Sequence, residues 1–239
     1  MRFPVPIPHV ALGAWVVFAP LVAQAPAGYQ KPPKEVLEVL NAPLAPDFLV
    51  SADGRYALVG ERNRYPKVAD LAAPMLKLAG IRIHPKTNTL HGAGYLKNLA
   101  VRTLEGPQQH PVALPPNLKI SNLRWNPAGT QIALGLISDT GMELWLLDPV
   151  TAKAKPIPGI QLNPLLGGAM QWLPDGETLL VKLVPAQRGA APVAPDVPPG
   201  PKVLDTTGSR AASSTYEARD LMKTPHDADL FEYYTRSQL

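Results

Sequence analysis

Three short reversals written in one frame constrain this chain more than any other feature. They lie within residues 48–59, 120–136 and 170–181, and their centres read Ala52-Asp53-Gly54, Pro127-Ala128-Gly129 and Pro174-Asp175-Gly176. A strand-like run precedes each, and two variable residues and an apolar strand follow. Pro presets φ, Asp bonds the backbone two residues on, and Gly takes positive φ without steric cost, so the chain must turn back at each place. One such turn fits any hairpin, but three in the same frame make an internal repeat. Around the second, residues 120–125, 131–136, 142–148 and 154–157 alternate with Pro, Gly, Asn and Asp clusters and predict a four-stranded antiparallel meander. Four strands in about 40–45 residues make one blade of a β-propeller.

The predicted fold is therefore all-β: an incomplete β-propeller of roughly two and a half four-stranded blades, with a short N-terminal helix and long Pro-rich loops. The 29 prolines among 239 residues, against a usual share of about 5%, exclude a mostly helical protein. Blade one is expected over 47–115 with an insertion at 61–97. Blade two is expected over 119–159, and blade three from 169. Inside the insertion, 71–78 predicts a short helix and 79–83 a strand; strands near 99–104 and 111–114 complete the blade. Residues 185–226 are rich in Pro, Ala, Gly and Ser and are expected to be disordered. Residues 227–239 read as a strand on which the chain stops, an edge open to self-association.

The amino terminus reads as an export signal over 1–27. Arg2 supplies the positive charge, 10–22 is apolar, and Ala25-Pro26-Ala27 fits a small-residue cleavage site. The apolar run falls short of the roughly 20 residues a membrane span needs. Export to a periplasm or the exterior is the expectation, with no membrane attachment after cleavage. A helical arm follows at 28–46, with Pro33 at its start and Asn41 and Pro43 at its end.

Chemistry is sparse. There is no cysteine, so thiolate catalysis, disulfides and Cys-based metal sites are excluded. None of the seven serines stands in a Gly-x-Ser-x-Gly elbow. No Walker loop or dinucleotide fingerprint is present. His84 and His91 lack a third ligand at a recognised spacing, so no metal and no cofactor is expected. The net charge of +4 is not gathered into a basic run, which sets nucleic acid aside as a partner. Trp125 and Trp172 occupy equivalent points of two frames and are expected to pack between blades. Arg62 and Arg64, in a charged stretch after the first frame, are candidate contacts for an acidic group, because a guanidinium fork suits a carboxylate.

Several runs resemble a known family. The Pro-Pro helix at 32–41, Ala42-Pro43-x-x-Pro46, Val50-Ser51-Ala52-Asp53-Gly54-Arg55-Tyr56, the run 65–83 and the closing Asp227-x-Asp229-Leu230-Phe231-Glu232-Tyr233-Tyr234 are similar to the amino-terminal part of prolyl oligopeptidase-family peptidases, in the glutamyl endopeptidase branch. The resemblance implies a closed propeller that admits peptides to an α/β-hydrolase domain bearing Ser, Asp and His. No catalytic residue carries over to a position here, because that domain has no counterpart in the sequence. The frames depart from the family at Ala52, where Pro is usual, and at Ala128, where Asp is usual. The expectation is an exported propeller fragment that positions peptide substrate for cleavage after Glu and is not catalytic alone. Its rival is a free-standing periplasmic propeller-like module that binds a protein partner.

Overall fold

The computed structural model describes residues 31–195 and 221–239. The expected signal peptide and the middle of the expected disordered insertion lie outside the described residues. In chain order the elements are α1 (Lys34–Asn41), β1 (Asp47–Val50), β2 (Tyr56–Arg62), α2 (Val68–Leu71), β3 (Leu76–Leu78), β4 (Ile81–His84), β5 (Thr89–Leu90), β6 (Leu96–Thr103), β7 (Gln109–Pro111), β8 (Lys119–Trp125), β9 (Ile132–Ile137), β10 (Met142–Asp148), β11 (Lys153–Leu162), β12 (Met170–Trp172), β13 (Leu179–Val181) and α3 (Pro225–Thr235). Strands dominate and helices are few, so the chain is all-β in class.

α1 belongs to a unit of its own, apart from the one spanning Leu44–Leu239. It starts after Pro33, carries Glu35 in its first turn where the helix dipole favours an anion, and buries no residue.

In the larger unit, β1, β2, β6 and β7 pair in succession, all antiparallel, as do β8, β9, β10 and β11. A single pair, Leu96 with Ile120, joins the two meanders into one eight-stranded sheet. β12 and β13 begin a third antiparallel pairing, and β3-β4-β5 form a separate sheet inside the expected insertion. None of these sheets closes on itself.

The three reversals share one backbone geometry. In each, the residue opening the turn donates its N–H to a carbonyl five residues on: Ser51 to Tyr56, Asn126 to Gln131, Leu173 to Thr178. In each, the glycine N–H returns to the opening residue's carbonyl, at 3.0 to 3.1 Å. The glycines stand at φ of +70°, +68° and +74° for Gly54, Gly129 and Gly176. The side chains that fasten the turns differ. Asp175 Oδ1 accepts from the N–H groups of Glu177 and Thr178, and Asp53 Oδ1 accepts from the Ser51 hydroxyl and Arg55 N–H. Where the second frame has Ala128, the work passes to Asn126, whose Oδ1 accepts from Thr130 and Gln131.

Successive frames also stack in one register. Trp125 Nε1 donates to the Leu49 carbonyl at 2.9 Å, and Trp172 Nε1 donates to the Arg124 carbonyl at 3.0 Å. Each Trp directly precedes its turn, and each acceptor lies two residues before the preceding turn. Gly129 faces Asp53, and Gly176 faces Ala128, again equivalent positions. The middle meander is thus packed on both faces. Along β9, Ile132, Leu134 and Leu136 enter a core with Leu58 and Val101, whereas Ala133 points the other way into a core with Met142, Leu144 and Met170. The period-two alternation of a strand divides the apolar residues between two neighbours.

Two expectations are corrected. Residues 71–78 do not form a helix: α2 ends at Leu71, and β3 begins at Leu76. Pro74 disfavours helical geometry at Ala73 and cannot donate its own nitrogen, so the chain extends. Residues 227–239 are not a strand but contain most of α3. A capping box starts that helix, with Asp227 N–H donating to the Thr224 hydroxyl while the Asp227 carboxylate accepts from the Thr224 N–H, and Pro225 fits the first turn. α3 packs Tyr234, Leu230 and Phe231 against Leu78 and Ile83 of the inserted sheet. Its C-terminal carbonyls are met by side chains: Asn163 Nδ2 donates to Tyr234 and Arg236, and Asn88 Nδ2 to Tyr234. Arg188 donates to Asn88 Oδ1 and lies 4.3 Å above the Tyr233 ring. Beyond the helix, Leu183 and Gln238 exchange two backbone hydrogen bonds, so the chain returns beside the point from which it left.

Candidate functional site

The short α2 turn, the β4–β5 hairpin and the β9–β10 turn enclose a cavity of about 210 Å³. Asp70 on α2 and Lys119 at the start of β8 meet across it at 2.7 Å. The Lys119 ammonium also lies 5.2 Å from the Tyr95 ring centre, where the ring face attracts a cation. The hydrogen bond from Lys119 holds the Asp70 carboxyl below its ordinary pKa, and Asp70 Oδ2 is buried with no hydrogen-bond partner among the described residues.

The hairpin supplies the opposite wall. His84 Nδ1 accepts from Thr87 N–H at 3.3 Å, which places the proton of the neutral ring on Nε2. Burial pushes the pKa of His84 down, and so does the nearby His91. The two imidazoles stack with centres 6.2 Å apart, and His91 Nε2 donates to the Ala73 carbonyl. Thr87 and Thr89 share a hydroxyl hydrogen bond of 2.8 Å. Ser138 also lines the cavity, but its hydroxyl donates to the Gly141 carbonyl rather than to a base. The cavity can accept or donate hydrogen bonds to a small polar group. It does not present a nucleophile beside a general base. Among the described residues no group of three His, Asp or Glu side chains is placed to hold a metal ion, and no helix is long and apolar enough to cross a membrane.

Neither Arg62 nor Arg64 lines this cavity. Arg62, on β2, pairs with Asp47 of β1 at 2.5 Å in an exposed position. Arg64 lies over the ring of its neighbour Tyr65 at 5.4 Å. Asp53, Gly54, Pro127, Gly129, Pro174, Asp175 and Gly176 all stand in the three stacked turns, away from the cavity lining. Asp53 is held at about 2, chiefly by the Ser51 hydroxyl and then by Arg55. Asp175 is held below its ordinary value by Thr178 and the Glu177 N–H. The sequence reading missed Asp70, Tyr95 and Lys119. Nothing in their spacing points to a meeting of residues 49 apart.

Fold and turn chemistry define a protein built from stacked antiparallel β repeats. No family model matches the chain. It is 32% identical over 233 residues, 91% of its length, to a protein of Oryza sativa subsp. japonica named "Probable glutamyl endopeptidase, chloroplastic". It is 33% identical over 225 residues, 89% of its length, to an Arabidopsis thaliana protein of the same name. These matches relate the chain to peptidases. It spans about a quarter of the length of these curated relatives, 24% and 23%.

Proposed function

We propose that this chain is the propeller-side part of an exported serine peptidase of the prolyl oligopeptidase family, one that cleaves peptides after glutamate. The similarity over nine-tenths of the chain to plant proteins named as glutamyl endopeptidases carries this reading. Units stacked in a fixed register fit the wall of a propeller, whose role is to admit and position a peptide for a separate hydrolase domain. The part alone binds and orients; it does not cleave.

In this reading Arg62 and Arg64 meet the substrate's acidic side chain. Arg62 must release Asp47 to do so. That pair is exposed on both sides, and such pairs contribute only about 0–1 kcal/mol, so a substrate carboxylate competes with it. The test compares fluorogenic peptides ending in Glu or Gln before the scissile bond, using the full-length polypeptide that contains this chain. The chain alone should hydrolyse neither. In the full-length protein, Arg62→Ala or Arg64→Ala should lower kcat/KM for the Glu peptide by about tenfold, roughly 1.4 kcal/mol, with the Gln peptide unchanged. Hydrolysis by the chain alone would overturn the proposed division of labour. An unchanged Glu-to-Gln ratio in both variants would remove the arginines from the site.

A further inference from the structure

The turn between β4 and β5 joins the cavity to the side chains that receive the end of α3. On one side His84 lines the cavity; on the other Asn88 is buried, 1% exposed, beneath the helix end. Two hydrogen bonds close the turn, and both end on His84: Asn88 N–H donates to its carbonyl at 2.9 Å, and Thr87 N–H to its Nδ1 at 3.3 Å. The Asn88 side-chain amide donates onward to the Tyr234 carbonyl at 3.2 Å and to Asn163 Oδ1 at 3.1 Å, and its Oδ1 accepts from Arg188 at 2.7 Å. Asn88 stands at φ +53°, a left-handed conformation that the closed turn maintains.

The surroundings of the ring favour its neutral form. Burial is the first cause of its lowered pKa; its own carbonyl opposes this, and His91, Lys119 on β8 and Lys86 in the turn itself add to it. Asp70 on α2 is engaged by Lys119 at 2.7 Å, and Asp139, between β9 and β10, is the other acidic group of the lining. His84 is half-buried rather than sealed, so protons from solvent reach it.

We propose that protonation of His84 opens the β4–β5 turn and frees the carboxyl end of α3 from Asn88. A proton on Nδ1 replaces the acceptor of Thr87 N–H with a donor, and the new N–H competes with Asn88 N–H for the same carbonyl. Once the turn slackens, Asn88 withdraws from Tyr234 and from Arg188, leaving Asn163 to hold the helix end. The bonds between Leu183 and Gln238 keep the segment tethered, so the opening is local. Its sign follows from the lowered pKa: the open form binds the proton more readily, so closure is whole above the ordinary 6.5 and weakens as pH falls below it. The inference rests on hydrogen bonds within the chain and is independent of the peptidase reading.

Hydrogen exchange of the full chain, corrected for the intrinsic pH dependence of amide exchange, reads the opening directly. From about pH 7.5 to about pH 5.5, protection of the Asn88 amide and of the last turn of α3 should fall severalfold, by no more than about tenfold per pH unit for one proton, while the amides of β9 keep theirs. His84→Asn keeps an acceptor near the place of Nδ1 but cannot titrate, and it should abolish the fall. His226→Gln removes the histidine of α3 itself and should leave the fall in place. Should His84→Asn fail to fold, NMR titration of the His84 ring in the unaltered chain decides, and its midpoint should coincide with the loss of protection. Protection of α3 that stays constant over this interval, that falls equally in His84→Asn, or that follows the midpoint of His91 or His226 would overturn the proposal.

Discussion

At the scale of single residues, the turns show how one geometry is reached by different side chains. Asp53, Asn126 and Asp175 each fasten a reversal, but Asn126 does so from the opening position rather than from the place held by Asp. The frame was legible because Gly54, Gly129 and Gly176 need positive φ. The substitution of Asn126 for the missing aspartate was not, because it depends on which oxygen reaches the free N–H groups. The glycines also separate two costs. Gly54→Ala meets only the left-handed backbone and should cost about 1 kcal/mol. Gly129→Ala adds a Cβ that would stand 2.7 Å from the Asp53 carboxylate and displaces a side chain held by Ser51 and Arg55. It should cost at least about 1 kcal/mol more, as overpacking does. Urea denaturation of the two variants gives the difference. Asp53 also contributes to the pH dependence of stability in acid. Its pKa in the folded chain, about 2 against an ordinary 3.8, means that the stability it lends is whole above pH 3.8 and is lost as pH falls toward 2. Acid titration of Asp53→Asn should show a shallower loss across that interval than the unaltered chain.

At the scale of elements, local propensity misled where capping chemistry decided. Phe231, Tyr233, Tyr234 and Thr235 favour a strand taken alone. Thr224-Pro225-His226-Asp227 outweighs them, because it satisfies the first N–H groups of a helix and fixes the first turn. That signature was present in the sequence and is the signal that would have placed α3. Thr224→Ala removes the cap and should lower stability by about 1 kcal/mol, read as an earlier loss of helical circular dichroism on denaturation. By contrast, the Asn88–Asn163–Arg188 knot that receives the end of α3 joins residues as far as 146 apart, and no window of sequence contains it. The same holds for the pairing of Asp70 with Lys119. The candidate cavity is assembled from an insertion and a repeat unit, so neither part announces it alone.

At the scale of the molecule, the strands alternate between two cores, and the middle unit serves as partner to both. The all-β class and the repeat followed from turn spacing and from apolar residues at every second position, as in Ile132, Leu134 and Leu136. Which face meets which neighbour required the register of β9 against β8 and β10. Leu134, fully buried, should cost about 2–5 kcal/mol as Leu134→Ala. Leu180→Ala, at an exposed position, should fall within about 0.5 kcal/mol; chemical denaturation measures both. The reciprocal bonds between Leu183 and Gln238 give the molecule a clasped neck. Because that clasp follows directly on α3, the helix is pinned twice, along its length by the inserted sheet and beyond its carboxyl end by the backbone of Leu183, so neither attachment alone has to bear the ordering of the closing residues.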